Sequence, residues 1–144
     1  MADTRPAPTA ALKAAIPVGQ TEAGEDVLSN GVSGEAALSI CVPAFKDSAD
    51  ALLASLVRLD GAGQCTLLIF DDGSGDPELT RILARQILRY PGPARLITAP
   101  GNAGRSYARN RLIDLAETDW ILFLDADMRP DDSDFLTRYL KAAN

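Results

Sequence analysis

Residues Trp120 to Pro130 read WILFLDADMRP. Five apolar residues run straight into two carboxylates held one residue apart. A short, unbroken apolar run is the mark of a strand covered on both faces, and such strands belong to parallel sheets flanked by helices. Strand propensity offers no reason for the acids that follow. Asp125 and Asp127 are therefore the first candidates for chemistry, and the rest of the chain must say which chemistry.

Working backwards, the pattern repeats. ALSICV (Ala37 to Val42) is a second unbroken apolar run, which Pro43 is expected to stop. CTLLIF (Cys65 to Phe70) is a third, closed by DDGSGDP, and ARLIT (Ala94 to Thr98) is a shorter fourth. Helical spacing fills the gaps. Leu52, Leu53, Leu56 and Leu59 share one face of a helix expected over about residues 48–59, with Asp47 or Ser48 as cap. Pro77 opens a helix to about Arg89 that turns Leu79, Ile82, Leu83, Ile87 and Leu88 inward. A third helix is expected over about 106–117 and a last one over about 133–143. The order β-α-β-α-β-α-β-α with short connections predicts an α/β fold: a Rossmann-like, mostly parallel open sheet with alternating helices. Ligands of such sheets bind beyond the carboxyl ends of the strands. PAFK, DDGSGD, APGNAGRS and DADMRP all lie at that edge.

The first 36 residues are rich in Ala, Pro, Gly, Thr and Ser. They read as a flexible leader with a short helix near Ala10 to Ala15. The domain proper is expected over 37–144.

Composition excludes several classes. The chain has 144 residues, enough for one domain with a core, and a formal net charge of −6. That charge argues against a nucleic-acid partner. There is no histidine, which removes Ser-His-Asp and Cys-His catalysis and His-ligated zinc. Cys41 and Cys65 lie in apolar runs and read as buried, reduced thiols. No apolar run approaches the ~20 residues of a membrane span, and no signal peptide is evident.

Three chemistries use Asp-x-Asp after a strand. A haloacid-dehalogenase phosphatase would need further strands beyond the motif, and only seventeen residues follow Asp127. LLIFDDGSGDPELTRILARQIL and LDADMRP resemble two stations of a response-regulator receiver. That fold has a strand–helix unit too few before the acidic pair and requires a lysine-bearing strand after it. The third candidate fits at four stations in order. ALSICVPAFK resembles the opening strand and turn of glycosyltransferase family 2, and LLIFDDGS resembles its Asp-Asp-Gly-Ser element. GNAGRSYARNRLIDLA resembles its Asn-x-Gly-x-x-x-Ala-Arg-Asn segment, and WILFLDADM resembles the strand that ends in its metal-binding Asp-x-Asp. The resemblance covers Ala37 to about Leu140.

What this resemblance implies is specific. Residues 37–144 would be the nucleotide-sugar-binding half of a GT-A domain. The chain would be a hexosyltransferase-like enzyme, moving a sugar with inversion from a nucleoside diphosphate to a carbohydrate or lipid-linked acceptor. Mn²⁺ or Mg²⁺ would be held by Asp127, with Asp125 contacting the ribose or the metal. Asp72 would accept from a ring N–H of the base, uracil being the family's commonest, while Asp71 orients the loop. Phe45 would stack on the base above Pro43 and Ala44, and Lys46 occupies a position often filled by Asn or Lys. Gly104 allows close approach, and Arg105 and Arg109 would face the base or the diphosphate. The general base is expected beyond Asn144. The last sheet edge is expected to be unpaired, with self-association as its consequence. A cytoplasmic location follows from the donor pool, with the inner membrane face also open to it. The rival readings are the phosphorylated receiver and a non-catalytic nucleotide-binding or assembly domain.

Overall fold

Among the described residues six strands form one sheet in the order β1-β2-β5-β4-β3-β6. The computed structural model describes residues 14–143. The strands are β1 (Ile16–Gln20), β2 (Asp26–Ser29), β3 (Leu38–Ala44), β4 (Cys65–Asp71), β5 (Ala94–Thr98) and β6 (Ile121–Phe123). The helices are α1 (Asp50–Leu56), α2 (Pro77–Arg89), α3 (Arg105–Leu115) and α4 (Phe135–Ala143). β5, β4, β3 and β6 are mutually parallel, and β1 and β2 join as an antiparallel hairpin on β5.

Both faces of the parallel part are covered, which explains the unbroken apolar runs. One face packs Ile40, Val42, Leu67 and Ile69 under α1, α2 and α4. The other packs Cys41, Leu68, Phe70 and Ile97 under α3, through Ala108 and Leu112. Cys41 and Cys65 are free and buried, as expected. Burial pushes their thiols up to about 12 and about 11, so neither is a thiolate at neutral pH.

α2 spans the residues its signals announce. Asp76 caps it by accepting from Glu78 N and Leu79 N, and Pro77 fills its first turn. α1 is shorter than expected. Ala49 precedes it in the left-handed region with φ 55, and Asp47 accepts from Ala49 N instead of capping a longer helix.

Two expectations fail. Pro43 does not stop its strand: β3 continues through Pro43 to Ala44. Ser39 N donates to Trp120 O and Cys41 O accepts from Leu124 N, so alternate residues of β3 bond toward β6. Pro43 follows that alternation, but β6 has already ended at Phe123, so the missing N–H costs no ladder bond.

The second correction concerns the leader. Residues 16–29 form the β1–β2 hairpin, which extends the sheet rather than trailing from it. Ala14 and Ala15 are not helical. The remainder of that expected helix, with the rest of residues 1–13, lies outside the described residues. The hairpin's end is stapled by Asn30, 3% exposed. Its Nδ2 donates to Ile87 O at 3.0 Å and Gly92 O at 2.9 Å, and its Oδ1 accepts from Ala94 N at 3.0 Å.

Among the described residues β6 is the other edge of the sheet and pairs only with β3. Among the described residues no helix is long and apolar enough to cross a membrane.

Candidate functional site

The chain passes from β3 through α1 to β4 on one side, while β6 lies on the other side of β3. This reversal of strand order opens a crevice beyond the carboxyl ends of β3 and β6, the usual ligand site of an open α/β sheet. A cavity of about 360 Å³ occupies it, within the size range of small-molecule sites.

Of the residues singled out from sequence, Pro43, Ala44, Phe45, Asp72, Gly104, Arg105, Asp125 and Asp127 line this cavity. Lys46, Asp71 and Arg109 do not. Lys46 sits at φ 55, donates its backbone N–H to Ser74 Oγ at 2.7 Å, and carries its Nζ 5.3 Å from the centre of the Phe45 ring. Asp71 is buried beneath the loop: its Oδ1 accepts from Ser74 Oγ at 2.6 Å, and its Oδ2 is the one buried side-chain oxygen among the described residues with no hydrogen-bond partner. Arg109 holds its Cζ over Phe123, 4.1 Å from the ring centre, so its guanidinium serves β6 by a cation–π contact. Phe45 is no core residue. It is 45% exposed on the cavity wall.

Asp72 does more than sequence predicted. Its Oδ2 accepts from Asn102 Nδ2 at 3.0 Å and Gly104 N at 2.9 Å, and its Oδ1 accepts from Ala103 N at 3.1 Å. A buried carboxylate is thus satisfied by three N–H groups of the loop leading into α3. One further lone pair on Oδ1 remains for a ligand. Gly73 makes this clamp sterically possible. It holds φ +72, and a Cβ there would meet Gly101 C at 2.1 Å.

The acids at the end of β6 stand differently. Met128 N donates to Asp125 O at 3.0 Å, closing a tight turn. Arg105 Nη2 donates to Asp125 Oδ1 at 2.7 Å across the cavity mouth, and Asp127 is exposed. Sequence reasoning missed Asp47, Asn102, Ala108 and Ala126 as lining residues. Asp47 had been read as a helix cap but accepts from Ala49 N ahead of the helix instead, and Asn102 Nδ2 donates to Asp72. Ala108 had been placed only as the alanine of the Asn-x-Gly-x-x-x-Ala-Arg-Asn segment, and Ala126 carries no signal that spacing could expose.

The lining therefore holds four carboxylates (Asp47, Asp72, Asp125 and Asp127) and one guanidinium, that of Arg105. Such a wall repels a bare diphosphate. It suits a ligand that brings or shares a cation. Asp125 and Asp127 offer the hard oxygens that Mg²⁺ and Mn²⁺ prefer. Among the described residues no three side chains gather to hold an ion unaided, so phosphate oxygens and water would complete the shell. On donor chemistry, the residues fit the ion.

Comparison with known proteins agrees. The sequence model for glycosyl transferase family 2 matches residues 39–144. Among solved structures, the mannosyltransferase PcManGT from Pyrobaculum calidifontis, in complex with GDP-Man and Mn²⁺, has a TM-score of 0.62 at 18% identity. TarS residues 1–349 from S. aureus, in complex with UDP-GlcNAc, gives 0.60 at 23% identity. These alignments cover 77% and 72% of this chain but only 34% and 30% of those proteins, and at such identities they establish the fold. No curated protein sequence matches the chain. By the match that spans β3 to α4, the chain belongs to glycosyl transferase family 2.

Proposed function

We propose that this domain binds a nucleoside-diphosphate sugar together with a divalent cation, as the donor half of an inverting sugar transfer to an acceptor hydroxyl. The observation that supports it best is the acid-lined cavity at the point where strand order reverses. A sugar nucleotide is the ligand whose diphosphate needs a cation and whose base needs an acceptor and a flat apolar wall. The domain has each: Asp125 and Asp127, Asp72, and Phe45 above Pro43 and Ala44.

Asp127 is the residue to hold the ion directly, because it is exposed and unpaired in the described structure. Asp125 is shared between the ion or ribose and Arg105. An ion held by Asp127 and Asp125 would supply the positive charge that a diphosphate leaving group needs. Arg105 adds a second positive charge beside the same phosphates. Asp72 reads the base edge with its spare lone pair, and Gly104 keeps the backbone close to the ligand. Arg109 supports β6 rather than touching the donor. Uridine and guanosine donors both fit this reading, because each presents a ring N–H to a carboxylate. The step needs a general base to deprotonate the acceptor. No described residue is assigned to it, and the acceptor is a carbohydrate or lipid-linked hydroxyl in this reading.

Calorimetric titration with UDP and GDP, in Mn²⁺ and then in EDTA, tests this reading. Metal-dependent binding that disappears in Asp127→Ala is expected. A folded chain that binds neither nucleotide in Mn²⁺ overturns it and favours a domain that keeps the fold without the ligand.

A further inference from the structure

The β1–β2 hairpin lies outside the residues that match the family, which begin at 39. At its tip sits Glu25, only 1% exposed. Arg111 of α3 grips it with two parallel bonds, Nε to Oε2 at 2.7 Å and Nη2 to Oε1 at 2.8 Å. Thr21 Oγ1 donates to Oε1 at 2.8 Å, and Glu25 N donates back to Thr21 Oγ1. A short loop at a sheet edge, here residues 21–25, gains nothing by burying a carboxylate unless that carboxylate ties two elements together. Here it ties the hairpin to the helix that serves the cavity.

Among the described residues α3 is the one helix on its face of the sheet. Its first turns supply Arg105 and Ala108 to the cavity wall. The loop entering it supplies all three donors to Asp72. Arg111 lies one turn beyond Ala108 and two beyond Arg105 on the same rigid rod, with Arg109 and Phe123 on a neighbouring flank. The helix is thereby fixed at its N-terminus by Asp72, on its flank by Phe123 and on the hairpin side by Glu25.

We infer that Glu25 is a positioning residue for the donor site: through Arg111 it sets the seat of α3 and hence the placement of Arg105 and of the 102–104 loop. The inference rests on the donor-binding reading for its functional consequence, but its structural step has a readout of its own.

The test uses the full chain with Glu25→Gln and with the double variant Glu25→Gln/Arg111→Met. The double variant removes both charges, so no unpaired ion is left buried and stability recovers. Amide exchange at Ala103 and Gly104, read without nucleotide, is expected to quicken about tenfold in both proteins while Val42 and Ile69 stay protected. UDP or GDP affinity in Mn²⁺ is expected to weaken about three- to tenfold in both, the double variant included. Unchanged exchange at Ala103 and Gly104 overturns the inference, whatever the wild-type chain binds. Quickened exchange with wild-type affinity confines Glu25 to stability and overturns its positioning role. Failure of the wild-type chain to bind either nucleotide, with exchange still quickened, is instead a failure of the donor reading, and the functional half of the inference falls with it.

Discussion

Gly73→Ala is the sharpest test of how the site is built. A methyl at this position would lie 2.1 Å from Gly101 C, 2.4 Å from Asn102 N and 2.5 Å from Gly101 O. All three are backbone atoms, so no rotamer change relieves the contact. Ordinary contact starts near 3.4 Å, so the 101–102 segment must retreat by about 1 Å. The same segment leads into the donors at 2.9 to 3.1 Å from the Asp72 carboxylate, and a retreat of about 1 Å puts them beyond hydrogen-bond reach. Losing one or two such bonds to a buried charge costs about 1.5–3 kcal/mol each. Holding alanine at φ +72 adds about 1–2 kcal/mol. The expected loss is therefore about 2.5–8 kcal/mol. Gly75→Ala is the control: φ is +67 there, but nothing lies within 4 Å, so only the strain of about 1–2 kcal/mol remains. Urea unfolding followed by circular dichroism measures both, with equal m-values as the sign that the unfolded states match. Equal destabilisation by the two substitutions would refute the reasoning, because Gly73 would then not be pressed against the loop that clamps Asp72.

The remaining expectations are briefer. Folding lowers the Glu25 pKa below its ordinary value of 4.5, chiefly through the Arg111 hydrogen bonds and against the pull of burial; Asp114 and Tyr107 are the other ionisable groups beside Arg111. The stability from this pair is thus complete above that value and is lost as pH falls through the lowered one, so the urea midpoint should drop on acidification less steeply in Glu25→Gln than in the wild type. Phe45→Ala should leave the urea midpoint within about 0.5 kcal/mol, since the ring is exposed, yet weaken UDP or GDP by about 1–3 kcal/mol of lost stacking; unchanged affinity would remove Phe45 from the site. The spare acceptor of Asp72 should favour bases with a ring N–H, so equilibrium dialysis in Mn²⁺ should rank UDP and GDP about tenfold above CDP and ADP. Equal affinity for all four would show that Asp72 only clamps its loop.

What could be read from the chain beforehand depended on how far apart the deciding atoms lie. The bounds of α2 were legible because Asp76, Pro77 and the Pro-Gly-Pro break act on their own neighbours. Pro43 misled because its tolerance depends on where β6 stops, some eighty residues later in the chain. The hairpin was invisible for the same reason. IPVGQ and DVLS carry weak patterns, and their order comes from the edge of β5 and from partners such as Arg111, 86 residues from Glu25. The site divides along this line too. Asp125 and Asp127 announced themselves by interrupting an apolar run. Asp47 did not, because a carboxylate before a helix is already accounted for as a cap; it accepts from Ala49 N ahead of the helix instead and lines the cavity. Asp72 shows the converse. Its neighbours in sequence pointed to a ligand, and folding has spent most of its acceptor capacity on its own loop. A residue committed in that way is held in place by its own loop before any ligand arrives. Preorganisation of this kind raises affinity by removing the cost of ordering, which is why disturbing Gly73 or Glu25, neither of which lines the cavity, should be felt within it.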